Sequence, residues 1–76
     1  SRARLTDFPE SAAAATQFRQ VLRDHPADAN AHLNLGNVLL EQGKLREAGH
    51  HFRRASELNP QLVEAARQLR RMPAES

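Results

Sequence analysis

Apolar residues in this chain return every three or four positions, and proline or glycine interrupts them at near-regular intervals. Pro9, Pro26, Gly43, Pro60 and Pro73 separate four stretches that read as helix. The first runs from about Pro9 to Asp24, with Ala14, Phe18, Val21 and Leu22 on one face. Asp7 and Glu10 fit a capping box, and Pro9 stands in the first turn, where its missing N–H costs nothing. Ala12 to Ala15 form a thin surface that lets a neighbouring helix come close. His25-Pro26 closes the stretch, because proline disfavours a helical residue before it.

The second stretch runs from about Ala29 to Gln42, with Asp28 as its expected N-cap. Leu35 and Leu39 share a face with His32 and Gly36, while Leu33 and Leu40 lie to another side, so two faces are apolar. Gly43 suits a left-handed C-cap. The third stretch, Leu45 to Leu58, carries Leu45, Ala48, Phe52 and Ala55 at helical spacing and ends at Asn59-Pro60. The fourth, Gln61 to about Arg71, carries Leu62, Ala65, Ala66 and Leu69 and stops at Met72-Pro73. The closing Ala-Glu-Ser is expected to fray. Nothing alternates with period two and β-branched residues are scarce, so the pattern predicts no strand.

Self-comparison decides the architecture. A shift of 34 residues places Ala14 on Ala48, Phe18 on Phe52, Arg19 on Arg53 and Pro26 on Pro60. The same shift puts Val21 on Ala55, Ala31 on Ala65 and Leu35 on Leu69. These are core and terminator positions, so the repeat is structural.

Period and residues together resemble the tetratricopeptide repeat family. Residues 29–62 make one full unit, in which Leu35-Gly36 match the family's Leu-Gly pair and Leu39 stands where Tyr is usual. Ala48, Phe52, Ala55 and Pro60 match its Ala, aromatic, Ala and Pro, while His32 replaces the customary Trp. Residues 9–26 are similar to the second helix of a preceding unit, and residues 63–72 to the first or capping helix of a following one. The resemblance implies an all-α fold of antiparallel helix-turn-helix pairs in a right-handed superhelix. Small Gly36 and Ala48 are expected where the paired helices cross, and Phe52 between one pair and the next. The few residues before Pro9 leave the preceding unit short of its own first helix. Solenoid units bury their faces against neighbours, and about three are usual for stability. This pattern therefore favours flanking sequence or self-association.

By the same resemblance, the first helix of each pair lines a concave groove. That assigns partner contact to Asn30, Leu33, Asn34, Asn37, Leu40 and Glu41, with Glu64, Arg67, Gln68 and Arg71 from the next helix. A carboxamide both donates to a peptide carbonyl and accepts from its N–H, which suits asparagine to such a face. The competing reading is that these asparagines only solvate the surface. Some relatives grip acidic chaperone tails, but Leu33 stands where a Lys is needed and Glu64 would repel such a tail. The function implied is a protein-interaction module that takes a protein or peptide segment. The alternative is a structural unit that stacks with copies of itself or with flanking repeats.

Composition changes this picture little. The 76 residues suffice for one small domain, and without cysteine there are no disulfides or thiolate metal sites. With no Trp, no Tyr and only three Phe, base-stacking on aromatic rings is disfavoured. The net charge is +2, from ten Arg and the single Lys44 against nine acids. Arg53, Arg54, Arg67, Arg70 and Arg71 make a possible basic stripe, but Glu57, Glu64 and Glu75 interrupt it, so no nucleic-acid partner is expected. No apolar run reaches the roughly 20 residues of a membrane span, and no signal-peptide core is present, so a soluble, cytoplasmic chain is expected before an exported one. Adjacent His50 and His51 diverge by about 100° on a helix, and His25 and His32 belong to other segments, so no metal or cofactor is expected. Gly36, Gly43 and Gly49 do not cluster into a phosphate loop, and Thr6, Ser11 and Ser56 have no evident catalytic partners; no enzyme is expected.

Overall fold

The helical periodicity is realised in a computed structural model that describes residues 9–72. Four helices follow one another: α1 (Pro9–Asp24), α2 (Ala29–Glu41), α3 (Leu45–Leu58) and α4 (Val63–Arg71). Connections of four, three and four residues fold each helix back antiparallel on the one before. Each helix packs on its chain neighbours, with α2 and α3 in the most extensive contact. Among the described residues there is no strand. The expectations for Asp7 and for residues 73–76 lie outside the described residues.

Local chemistry sets the boundaries. Asp28 caps α2 by accepting from the Ala31 N–H through Oδ1 at 3.1 Å. Gly43 closes α2 at φ +80°, where its N–H reaches Leu40 O at 3.0 Å and the Lys44 N–H reaches Leu39 O at 2.9 Å. This paired arrangement is a Schellman cap, and it places Gln42 just past the helix that was expected to include it. At the next corner the Asn59 side chain accepts from the Gln61 N–H at 3.1 Å, and Asn59 O accepts from the Leu62 N–H at 2.9 Å. These bonds hold Gln61 in a turn, so α4 begins at Val63 rather than at Gln61.

The core is one continuous cluster. It joins Ala15 from α1, Leu33, Leu35 and Leu39 from α2, Ala48, Phe52 and Ala55 from α3, and Ala65 from α4. Phe52 is fully buried, and its ring lies against the Cα of Gly36 within its own helix pair. A Cβ built on Gly36 would stand 2.7 Å from Phe52 Cε1, so glycine is what permits that approach. The ring expected between units is thus already engaged inside one. On α1, Val21 is 37% exposed and Ala15 is buried in its stead. The packing side runs through Ala15, Phe18 and Leu22, and Val21 falls about 100° short of Leu22, at its edge.

Candidate functional site: two sides of the central helix

Successive residues of α2 advance about 100°, which sorts its side chains into two arcs. Asn30, Asn34, Asn37 and Glu41 occupy one arc about 60° wide. Asn30, Asn34 and Glu41 are exposed, and Asn37 is half-buried. Leu40 is half-buried and packs against the core, next to Leu33 at the edge of the buried arc. On α4, Glu64, Arg67 and Arg71 are exposed and Gln68 is half-buried.

Leu33 departs from the expectation. It was assigned to the open groove, but it is only 8% exposed and belongs to the core cluster. The reason is that α2 has a neighbour on each side, α1 and α3. From Ala31 to Leu33 its buried arc sweeps about 200°, wider than a helix with a single partner would bury. Leu33 is the far edge of that arc.

The opposite side of α2 holds an arrangement that the sequence left apart. His32, 8% exposed, meets His51 of α3 with the two Nδ1 atoms 3.0 Å apart. The ring centroids lie 5.2 Å apart, so the rings meet edge to edge through their nitrogens. His32 Nε2 lies 3.1 Å from Pro26 O, a carbonyl that can only accept. With both rings neutral, His32 carries its proton on Nε2, and its bare Nδ1 accepts from the His51 Nδ1–H. The chain of bonds leaves Nε2 of a neutral His51 as an acceptor. The only advance signals were His32 in an aromatic's place and His51 next to Phe52; periodicity within one helix does not report contacts between helices.

Electrostatics agree with that protonation pattern. The His51 imidazole is pushed down from its ordinary 6.5 to about 4, first by burial and then by His32, His50 and the Arg19 guanidinium, with Glu47 opposing. His50 contacts His51 ring edge to ring at 5.2 Å between centroids. Among the described residues, no three metal-ligating side chains gather into a site.

Beside this pair opens a cleft of about 310 Å³, floored by Leu22, Pro26 and Leu35 and edged by Arg19, Arg23 and His51. Within the possible basic stripe of Arg53, Arg54, Arg67, Arg70 and Arg71, Arg54 Nη1 pairs with Glu57 Oε1 at 3.1 Å on the exposed surface. Such a pair contributes less than about 1 kcal/mol. Among the described residues, no helix is long and apolar enough to cross a membrane.

The sequence model of one family, described as tetratricopeptide repeat, matches residues 10–63. Anaphase-promoting complex subunit 3 of Schizosaccharomyces pombe is 42% identical over 45 residues, which is 59% of this chain and 7% of that protein. The chain thus spans a small fraction of the curated relative it matches. No solved structure matches the chain.

Proposed function

Because the chain belongs to the tetratricopeptide repeat family, whose repeats generally mediate protein–protein interaction, we propose that it holds a partner segment on the polar face of α2. The observation that carries this reading is the strip of Asn30, Asn34, Asn37 and Glu41, which stands clear of the core while the rest of α2 is buried on two sides. Its carboxamides match the donor and acceptor pattern of a peptide backbone. Leu40 adds apolar contact, and Arg67, Gln68 and Arg71 extend the face along α4. Leu33 is withdrawn from the surface and serves to support it. The similarity to a subunit of a multiprotein complex fits a partner-binding role for this scaffold. Family membership favours binding over catalysis, since repeats of this kind are generally interaction modules.

An NMR titration of labelled protein with acidic, apolar and basic peptides, at two protein concentrations, tests the proposal. Saturable shifts at Asn34, Asn37 and Arg67 with one peptide class are expected. Shifts that follow protein concentration alone, and gather on α1 and α4, would favour a self-stacking unit instead. Val63, 65% exposed at the start of α4, is the feature that keeps that second reading in view.

A further inference from the structure

The cleft beside the histidine pair lies on the other side of α2 from the asparagine strip. His32 and Leu35, which line it, stand about 100–160° around the helix from Asn34 and Asn37. It is formed by three helices and the first turn, so α1 and α3 together make a furrow with α2 as its floor.

Its chemistry is divided. Leu22, Leu35 and Pro26 give an apolar floor. Arg19 and Arg23 stand one helical turn apart on the α1 rim and are exposed. Among the described residues, neither guanidinium is ion-paired or engaged in a side-chain hydrogen bond. The positive field of Arg19 reaches across the cleft as far as His51. Glu47 is the carboxylate that bears on His51 from α3, while Asp24 and Asp28 line a separate hollow beyond Pro26. Pro26 thus stands between Asp24 and Asp28 and the Arg19–Arg23 rim, while Glu47 bears on the far edge of the furrow at His51.

We propose that this furrow is a second protein-binding site, which receives a partner segment carrying an aspartate or glutamate next to a large aliphatic side chain. The carboxylate sits between Arg19 and Arg23, where planar guanidinium donors match its two oxygens. The aliphatic group covers Leu22 and Leu35, and the volume suits about one such side chain with its backbone. His51, fixed by His32 and Pro26 as an acceptor at Nε2, receives a backbone N–H of the segment. Charge complementarity and the apolar floor select this occupant over a basic or wholly polar one. The site is independent of the asparagine strip, and the two faces allow one chain to bridge two partners.

Two terminally blocked peptides, identical except for Leu-Glu in one and Leu-Gln in the other, are titrated into labelled 76-residue protein. Expected are saturable shifts at Arg19, Leu22, Arg23 and His51, with the Gln peptide at least tenfold weaker. Affinity for the Glu peptide should also fall as salt is raised. Substituting Arg19→Gln and Arg23→Gln together should abolish binding, and because both side chains are exposed the helical circular dichroism should be unchanged. Asn34→Ala with Asn37→Ala should leave this binding intact, which separates failure here from failure of the polar-face reading. Equal binding of both peptides, shifts confined to the asparagine strip, or shifts that track protein concentration alone would each overturn the proposal.

Discussion

Helices α2 and α4 are related by the 34-residue offset of the repeat, yet their burial differs sharply. Six residues of α2 are buried, Ala31 through Leu39, whereas only Ala65 is buried in α4. Ala31 and Ala65 correspond under that offset, and both are buried. Beyond that position the two diverge. Leu35 is 1% exposed while its counterpart Leu69 is only partly buried, Gly36 is replaced by Arg70, and Leu39 by Pro73. The second side of α2 is covered by α3; among the described residues nothing follows α4 to do the same. Burial in a repeat is therefore a property of the neighbours as much as of the residue.

The sharpest way to break that comparison is a pair of truncations. Leu35→Ala should cost about 2–5 kcal/mol, enough to unfold much of a domain this small. Leu69→Ala should cost less than half as much, since less area returns to water. Urea denaturation of both variants measures the difference, and equal losses would mean that α4 is as well packed as α2.

The α2–α3 crossing can be tested at its closest point. Gly36→Ala gains about 1 kcal/mol of helix propensity but drives a Cβ into a fully buried ring. Overpacking of this kind costs about 1–3 kcal/mol, so a net loss is expected. Combining it with Phe52→Leu should restore part of the loss relative to the sum of the two single changes. Strict additivity would show that the ring does not set the constraint.

The histidine pair gives the same crossing a pH dependence. Folded His51 titrates near 4 and unfolded histidine near 6.5, so between those values the unfolded chain binds more protons. Its contribution is complete above about pH 6.5, is lost as pH falls through the window, and changes no further below about pH 4. One proton limits the slope to about 1.4 kcal/mol per pH unit, and a half-buried ring delivers only part of it. Thermal melts from pH 7 to 4 should show a slope that His51→Asn flattens, because the amide can still donate to His32 without titrating. An unchanged slope would assign the effect to other groups.

The smallest effect belongs to the α3–α4 crossing. A Cβ on Gly49 would meet only Met72, at an ordinary 3.7 Å. Gly49→Ala should therefore stabilise by about 0.5–1 kcal/mol through helix propensity. A loss in its melting temperature would show that this crossing is tighter than its spacing indicates.

Much of the fold was legible because its signals are local. Asp28 supplies a cap oxygen within three residues of its N–H, and Gly43 adopts a backbone angle that other residues avoid. The repeat placed Phe52 and Ala48 in the core through the copies of themselves at Phe18 and Ala14. The polar strip on α2 was expected from the family resemblance, and helical spacing gathers Asn30, Asn34 and Asn37 on one arc. Periodicity began α4 at Gln61, two residues early, because the Asn59 turn competes with helix there, whereas the family resemblance began it at residue 63.

What the sequence by itself determined is the number of helices, most of their ends to within two residues, and the side of each that carries most of its apolar residues. These follow from interactions that span a few residues. Only the tertiary structure decided that Leu33 is core, that Val21 is open, that His32 and His51 share a hydrogen bond, and that two arginines edge an apolar furrow. Each depends on how far and at what angle one helix crosses the next. Periodicity within a helix fixes the direction of a side chain around its own axis, but the helix packed beside it decides what that side chain meets.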